Sequence, residues 1–148
     1  MKIVVNTNIV FSALLNSSSR IGKILIGSKG YLEFYSCEFL REELLKHNHK
    51  IKKMTGLSST ELEELQYLVT KNITFLHQRA LPNKTLTDAE ILLEKIDIND
   101  APFVALAKHL KARLWTGDKI LLNGLKNTKY IRTITTSELS NFLESLGR

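Results

Sequence analysis

Three β-branched residues, Ile3-Val4-Val5, make a short apolar run that stops at Asn6-Thr7-Asn8, after which Ile9, Val10, Ala13 and Leu14 recur at helical spacing. The pattern predicts strand, tight turn, helix. Ser17-Ser18-Ser19 interrupts it before Ile21, Ile24 and Leu25 form a second helical stripe that ends at Gly30. Residues 31–36 alternate and are rich in aromatics, which predicts a second strand leading into one long helix from about Glu38 to Met54, closed by Gly56. Ser58 with Glu61 three positions on starts a helix that runs to about Lys71, and Ile73–Leu76 reads as a short strand.

A loop around Pro82-Asn83-Lys84 separates these elements from a helix over residues 87–96. Asp100 is placed to cap the next helix, with Pro102 in the first turn, where a missing N–H costs little. The apolar run 112–116 is a strand that ends at Gly117-Asp118; a helix near 119–126, a strand near 129–134 and a capped helix from Thr136 follow. Strands that alternate with helices imply a parallel sheet covered on both faces, because parallel neighbours need crossover connections. No repeat, low-complexity tract or linker interrupts residues 1–148, which read as a single domain.

Composition narrows the function classes. A hydrophobic content of 43% over 148 residues is enough for a sizeable core without covalent staples. The single cysteine, Cys37, excludes an internal disulfide, and no stretch of about 18 apolar residues exists, so a cytoplasmic protein away from membranes is expected. The formal net charge of +6 favours a polyanionic partner. Walker loops, GxGxxG after the first strand and GxSxG are all missing, which removes the main support for ATPase, dehydrogenase and hydrolase-elbow readings.

In an open parallel sheet, functional groups gather beyond the carboxyl ends of the strands. Asn6 and Asp118 each follow a strand, and Asp100 begins the helix that feeds the strand before Asp118. At about 100° per residue, Leu40, Leu44, His47, Ile51 and Met54 share one helical stripe; Glu43 falls at its edge while Glu42 points away. An inward carboxylate is costly unless paired or bound to a cation. Each acid also has a plainer reading: Asp100 as a cap, Asp118 as a turn residue, Glu43 as a side chain reaching past the edge to solvent. Together they form a hard oxygen site suited to Mg²⁺ or Mn²⁺ rather than zinc. His47-Asn48-His49, beside Lys46, Lys50, Lys52 and Lys53, reads as a basic face at a helix end.

Four motifs, in order and over nearly the whole chain, resemble the PIN-domain family and in particular its VapC-type toxin ribonucleases. Ile3-Val4-Val5-Asn6-Thr7-Asn8-Ile9-Val10 is similar to the family's opening of strand, Asp-Thr-Asn and helix; Arg41-Glu42-Glu43-Leu44 resembles its second acidic motif. Asp100-Ala101-Pro102-Phe103-Val104-Ala105 is similar to the third, and Leu114-Trp115-Thr116-Gly117-Asp118 to the fourth. The resemblance implies a three-layer α/β fold, a central parallel sheet flanked by helices, that binds one or two Mg²⁺ or Mn²⁺ ions and hydrolyses RNA. It further implies a toxin held by an antitoxin protein, and a homodimer. Asn6, Glu43, Asp100 and Asp118 are then the catalytic and metal-holding set, with Asp97 able to replace Asp100 as a ligand. Thr7, Asn8 and Thr116 would orient those acids or contact phosphate; turn chemistry explains them equally well.

One position departs from the family. Asn6 stands where the family carries an aspartate, and an amide is neutral and presents an NH₂ that repels a cation. An exchange made to silence a toxic nuclease and a natural impaired member both account for it. The competing readings are a non-catalytic PIN-like module that binds nucleic acid or protein, and, more distantly, a receiver-like or flavodoxin-like regulatory domain.

Overall fold

The computed structural model describes residues 1–28 and 30–147. Five strands, β1 (Lys2–Val5), β2 (Glu33–Cys37), β3 (Ile73–Leu76), β4 (Arg113–Trp115) and β5 (Arg132–Ile134), form one sheet in the order β3-β2-β1-β4-β5. Every pairing in it is parallel. Ile3, Val4 and Val5 alternate between the two faces yet all have no solvent exposure, so both faces of β1 are covered.

The covering layers follow from the apolar stripes. On one side α1 (Thr7–Leu15) packs against α2 (Arg20–Gly27), α3 (Phe39–Lys46), α4 (Asn48–Thr55) and α5 (Ser59–Thr70). On the other, α7 (Ala101–Leu110) lies on β1, β2 and β4 and is backed by α6 (Asn83–Leu93). α8 (Lys119–Leu125) joins β4 to β5, and α9 (Thr136–Leu146) packs on α2. The result is a three-layer α/β fold. The chain builds outward from β1 to β3, then returns across β1 to β4; β1 and β4 flank the point where the winding reverses, where such sheets open a crevice at their carboxyl edge.

Several boundaries differ from the sequence pattern for local reasons. The expected helix 38–54 is two helices that break at His47 (φ −101°, ψ 11°), which lets α3 contact β2 as well as α1 while α4 continues along α1. The break resets the helical phase, so Met54, expected to face inward with Leu40 and Leu44, is 59% exposed. The second helix ends at Gly27, and Gly30 instead takes the left-handed turn (φ 101°) that leads into β2. α6 begins at Asn83 rather than 87: Pro82 sits just before the first turn, and Lys84 and Asp88 pair at 3.0 Å across one helical turn. β5 begins only at Arg132, because Lys129 is left-handed (φ 58°).

Cys37 closes β2 with no exposure, and burial pushes its thiol up to about 12 despite backbone N–H donors at Phe39 and Leu40. The thiolate is the reactive form, so labelling by a thiol reagent at about pH 8 should wait on unfolding and be immediate in denaturant. Labelling in native buffer at the rate of a free thiol would contradict this packing.

Candidate functional site

Asn6 leaves β1 at the reversal point. Its backbone N–H donates to the Trp115 carbonyl at 3.1 Å, and its side-chain oxygen accepts from the Asn8 N–H at 3.3 Å, which caps α1. The same side chain, only 4% exposed, donates from Nδ2 to Asp100 Oδ1 at 3.3 Å. Both ends of the amide are therefore committed, and turning it over would set its oxygen against a carboxylate.

Asp100 was expected to cap α7. It does not: it ends a short 3₁₀ turn, Ile98–Asp100, with helical backbone (φ −85°, ψ −3°), and its carboxylate makes no cap bond. Asp97 caps that turn by accepting from the Asn99 N–H at 3.0 Å and is itself exposed. The Asp100 carboxylate is left half-buried against Asn6. Burial first of all, with Asp97, Asp118 and Glu43 adding their charges, raises it from 3.8 to about 6, against the lowering effect of the Asn6 hydrogen bond.

Glu43 is the inward member of its pair, half-buried while Glu42 is exposed, as the helical phase predicts. The Thr7 hydroxyl donates to Glu43 Oε1. Desolvation raises Glu43, the Thr7 hydrogen bond opposes this, and the charges of His47 and Lys46 lower it while Asp97 raises it. Asp118 caps α8, accepting from the Ile120 and Leu121 N–H groups through Oδ1 at 2.9 and 3.4 Å; its other oxygen makes no such bond. The turn beneath it is fixed by Thr116 Oγ1, which accepts from Asn8 Nδ2 and the Asp118 N–H, both at 3.1 Å, and by Asn8 Oδ1, which accepts from the Gly117 N–H at 3.3 Å.

Asn6, Glu43, Asp97, Asp100 and Asp118 thus share one end of the sheet, and Thr7, Asn8 and Thr116 are bonded to that set. Plain structural roles accompany the cluster: Asn6, Asp97 and Asp118, the last expected as a turn residue, each cap a helix, whereas the cap expected of Asp100 is absent. Two supports escaped the sequence. Ser36, with no exposure, donates to the Val5 carbonyl at 2.8 Å and steadies the end of β1; the one signal was a serine in an otherwise apolar strand end. His47, read as part of a basic face, packs edge-on to Phe11 at 5.7 Å near Glu43.

The donor chemistry suits a small divalent cation. Among the described residues the two ion pairs are Arg41–Glu38 and Lys84–Asp88, so none of these acids is neutralised by a bonded lysine or arginine. No three His, Cys, Asp or Glu side chains among the described residues are grouped to hold one ion directly. An ion that keeps several waters and takes one or two carboxylates, as Mg²⁺ does, fits this spacing.

The acid cluster has a pH signature. Because the folded value of Asp100, about 6, lies above 3.8, its contribution to stability is complete below 3.8 and is lost as pH rises through about 6. In metal-free buffer, raising pH from about 4.5 to about 7 should lower Tm more for this chain than for Asp100→Asn. Identical pH dependence of the two would show that the carboxylate is not desolvated.

A family model described as the PIN domain matches residues 4–140. The chain belongs to the PIN-domain family. No curated protein matches it. Among solved structures, a chain in the crystal structure of VapBC2 from Rickettsia felis bound to a DNA fragment from their promoter superposes with a TM-score of 0.71. That alignment has 16% sequence identity and covers 91% of this chain and 98% of the other; at such identity it speaks for the fold. In this PIN domain Asn6, Glu43, Asp100 and Asp118 lie at one end of the sheet. Among its described residues no single helix is long and apolar enough to cross a membrane; α1 and α2 pass only as a pair bent by 107°.

Proposed function

We propose that this PIN domain is a Mg²⁺- or Mn²⁺-dependent endoribonuclease of the VapC toxin type whose catalytic capacity is reduced by Asn6. The observation that carries the reading is the half-buried pair of Asp100 and Glu43 at the β1/β4 reversal point, neither of them in an ion pair among the described residues. Glu43, Asp100 and Asp118 would hold the ion, one or two of them directly and the rest through its waters, with Asp97 as an alternative ligand to Asp100. When bound, the ion supplies Lewis-acid polarisation of a phosphate oxygen and a water of lowered pKa. Thr7 holds the Glu43 carboxylate in place, Asn8 and Thr116 hold the turn that carries Asp118, and the basic Lys46–Lys53 segment, with Lys119, would steer RNA towards the cleft, whereas Lys126, at the far end of α8, lines a different groove.

An antitoxin segment is the proposed partner, with a homodimer as the assembly and the cytoplasm as the place. Ile98 and Ile120, each two residues from one of the acids, are 51% and 71% exposed, apolar side chains that such a segment would cover.

The second reading, a non-catalytic PIN-like binding module, has its own support: Asn6 Nδ2 already meets Asp100 where a cation would otherwise be needed. An RNA cleavage assay with Mn²⁺ on this chain and on Asn6→Asp separates the two. Cleavage that appears or rises with Asp supports the nuclease; equal inactivity supports the module.

A further inference from the structure

The sheet end opposite the acidic cleft carries the opposite charge. A cavity of about 550 Å³ there is lined by six cations: Lys2, Lys108, Lys111, Arg113, Lys129 and Arg132. An adjoining groove of about 790 Å³ shares Arg113, Lys129, Ile131 and Arg132 with it and adds Lys126. No acid lines the cavity, and the acid in the groove, Glu138, accepts from the Thr135 N–H in the α9 capping box.

Two features separate this surface from an ordinary solvated face. Arg113 and Arg132 open β4 and β5 as direct cross-strand partners, so their side chains start from the same face of the sheet. Like charges so placed repel, and neither belongs to the two ion pairs among the described residues. Second, Lys111 (φ 55°) and Lys129 (φ 58°) are the two non-glycine residues with positive φ among the described residues, and both line the cavity. Glycine adopts that backbone without strain, yet lysine stands at both places. Lys108 is set aside because it has partners of its own, the Tyr130 carbonyl at 3.4 Å and the Tyr130 ring at 4.6 Å.

We propose that this groove is a second RNA-binding surface, which takes the backbone of a single strand with Arg113 and Arg132 at its centre. Arginine meets phosphate oxygens two at a time, and an anion between the pair removes their repulsion. Two cavities in series suit a run of phosphates better than one small anion, and an open concave groove suits a single strand. The surface is independent of the cleavage reading, since it would bind RNA whether or not the cleft is active.

The test is fluorescence anisotropy of a labelled uridine oligonucleotide with the full chain in EDTA, so that cleavage plays no part, titrated with salt. Arg113→Gln with Arg132→Gln should bind about tenfold more weakly and flatten the salt slope by about 1.4, the value for two lost phosphate contacts on a single strand. Lys111→Gly with Lys129→Gly should also lose affinity while Tm stays level or rises, which a merely structural role would not produce. Lys50→Gln with Lys52→Gln and Lys53→Gln serves as the comparison on the cleft side. Unchanged affinity and slope in both groove variants would overturn the proposal, as would loss confined to the cleft-side variant. Stronger competition by duplex DNA than by RNA would overturn the assignment to single-stranded RNA.

Discussion

Asn6→Asp is expected to bind Mn²⁺ at least about tenfold more tightly than the chain with Asn6 and to cleave RNA about 100-fold faster. The geometry gives the reason. The side-chain oxygen of Asn6 caps α1 and its Nδ2 lies 3.3 Å from Asp100 Oδ1; aspartate keeps the cap and sets a second carboxylate oxygen where the amide nitrogen was. One added charge at ~4 Å from a cation is worth roughly 4 kcal/mol at an effective dielectric near 20, before hydration reduces it. A remainder of about 1.4 kcal/mol already gives tenfold in affinity. Without metal the same change is unfavourable, because two carboxylates that close cannot both ionise freely beside Glu43 and Asp118. The variant should therefore melt lower than the parent in EDTA and regain about 2.7 kcal/mol when Mn²⁺ reaches 100 times its Kd, since the ion binds only the folded form. Calorimetric titration and melts with and without Mn²⁺ read both halves. Equal metal affinity in the two chains would sink the metal-site reading and leave the binding module.

Trp115→Ala should cost about 3–5 kcal/mol, a large part of the roughly 5–15 kcal/mol that holds a domain folded. Trp115 has no exposure and stacks on Phe34 across β1 at 6.0 Å. Its indole N–H donates to Thr136 Oγ1 at 3.0 Å. Alanine removes the ring, leaves a cavity between β4 and α9, and orphans that hydroxyl. For a chain of this length the loss corresponds to a fall in Tm of about 10 °C or more. The damage should reach the cleft as well, because the Trp115 carbonyl accepts from the Asn6 N–H and Thr116-Gly117-Asp118 follows directly. Since Trp115 is the sole tryptophan, far-UV circular dichroism rather than fluorescence should follow unfolding, with Trp115→Phe expected to lie between the two. A loss under about 1 kcal/mol for Trp115→Ala would show that the ring is not a keystone of this face.

The elements were legible where one strong pattern acts locally. Ile3-Val4-Val5 needs only β-branched side chains to be a buried strand, and Ser58 with Glu61 needs only one turn of backbone to form a capping box. The order of strands and helices imposed a parallel sheet, and helical phase alone distinguished Glu43 from Glu42. What depends on neighbours distant in sequence was decided by the tertiary structure. The break at His47 lets α3 contact β2 as well as α1 while α4 continues along α1, and no periodicity within the segment encodes that. Gly22 looks like any helical glycine, yet a Cβ there would lie 2.2 Å from the Ser17 carbonyl oxygen. Asp100 has the sequence of a cap; only the meeting of β1 with the start of α7, 94 residues on, turns its carboxylate to Asn6 instead. Desolvation and charge crowding are sums over everything nearby in space, so a chain can announce which acids it owns while the fold alone sets what their protons do.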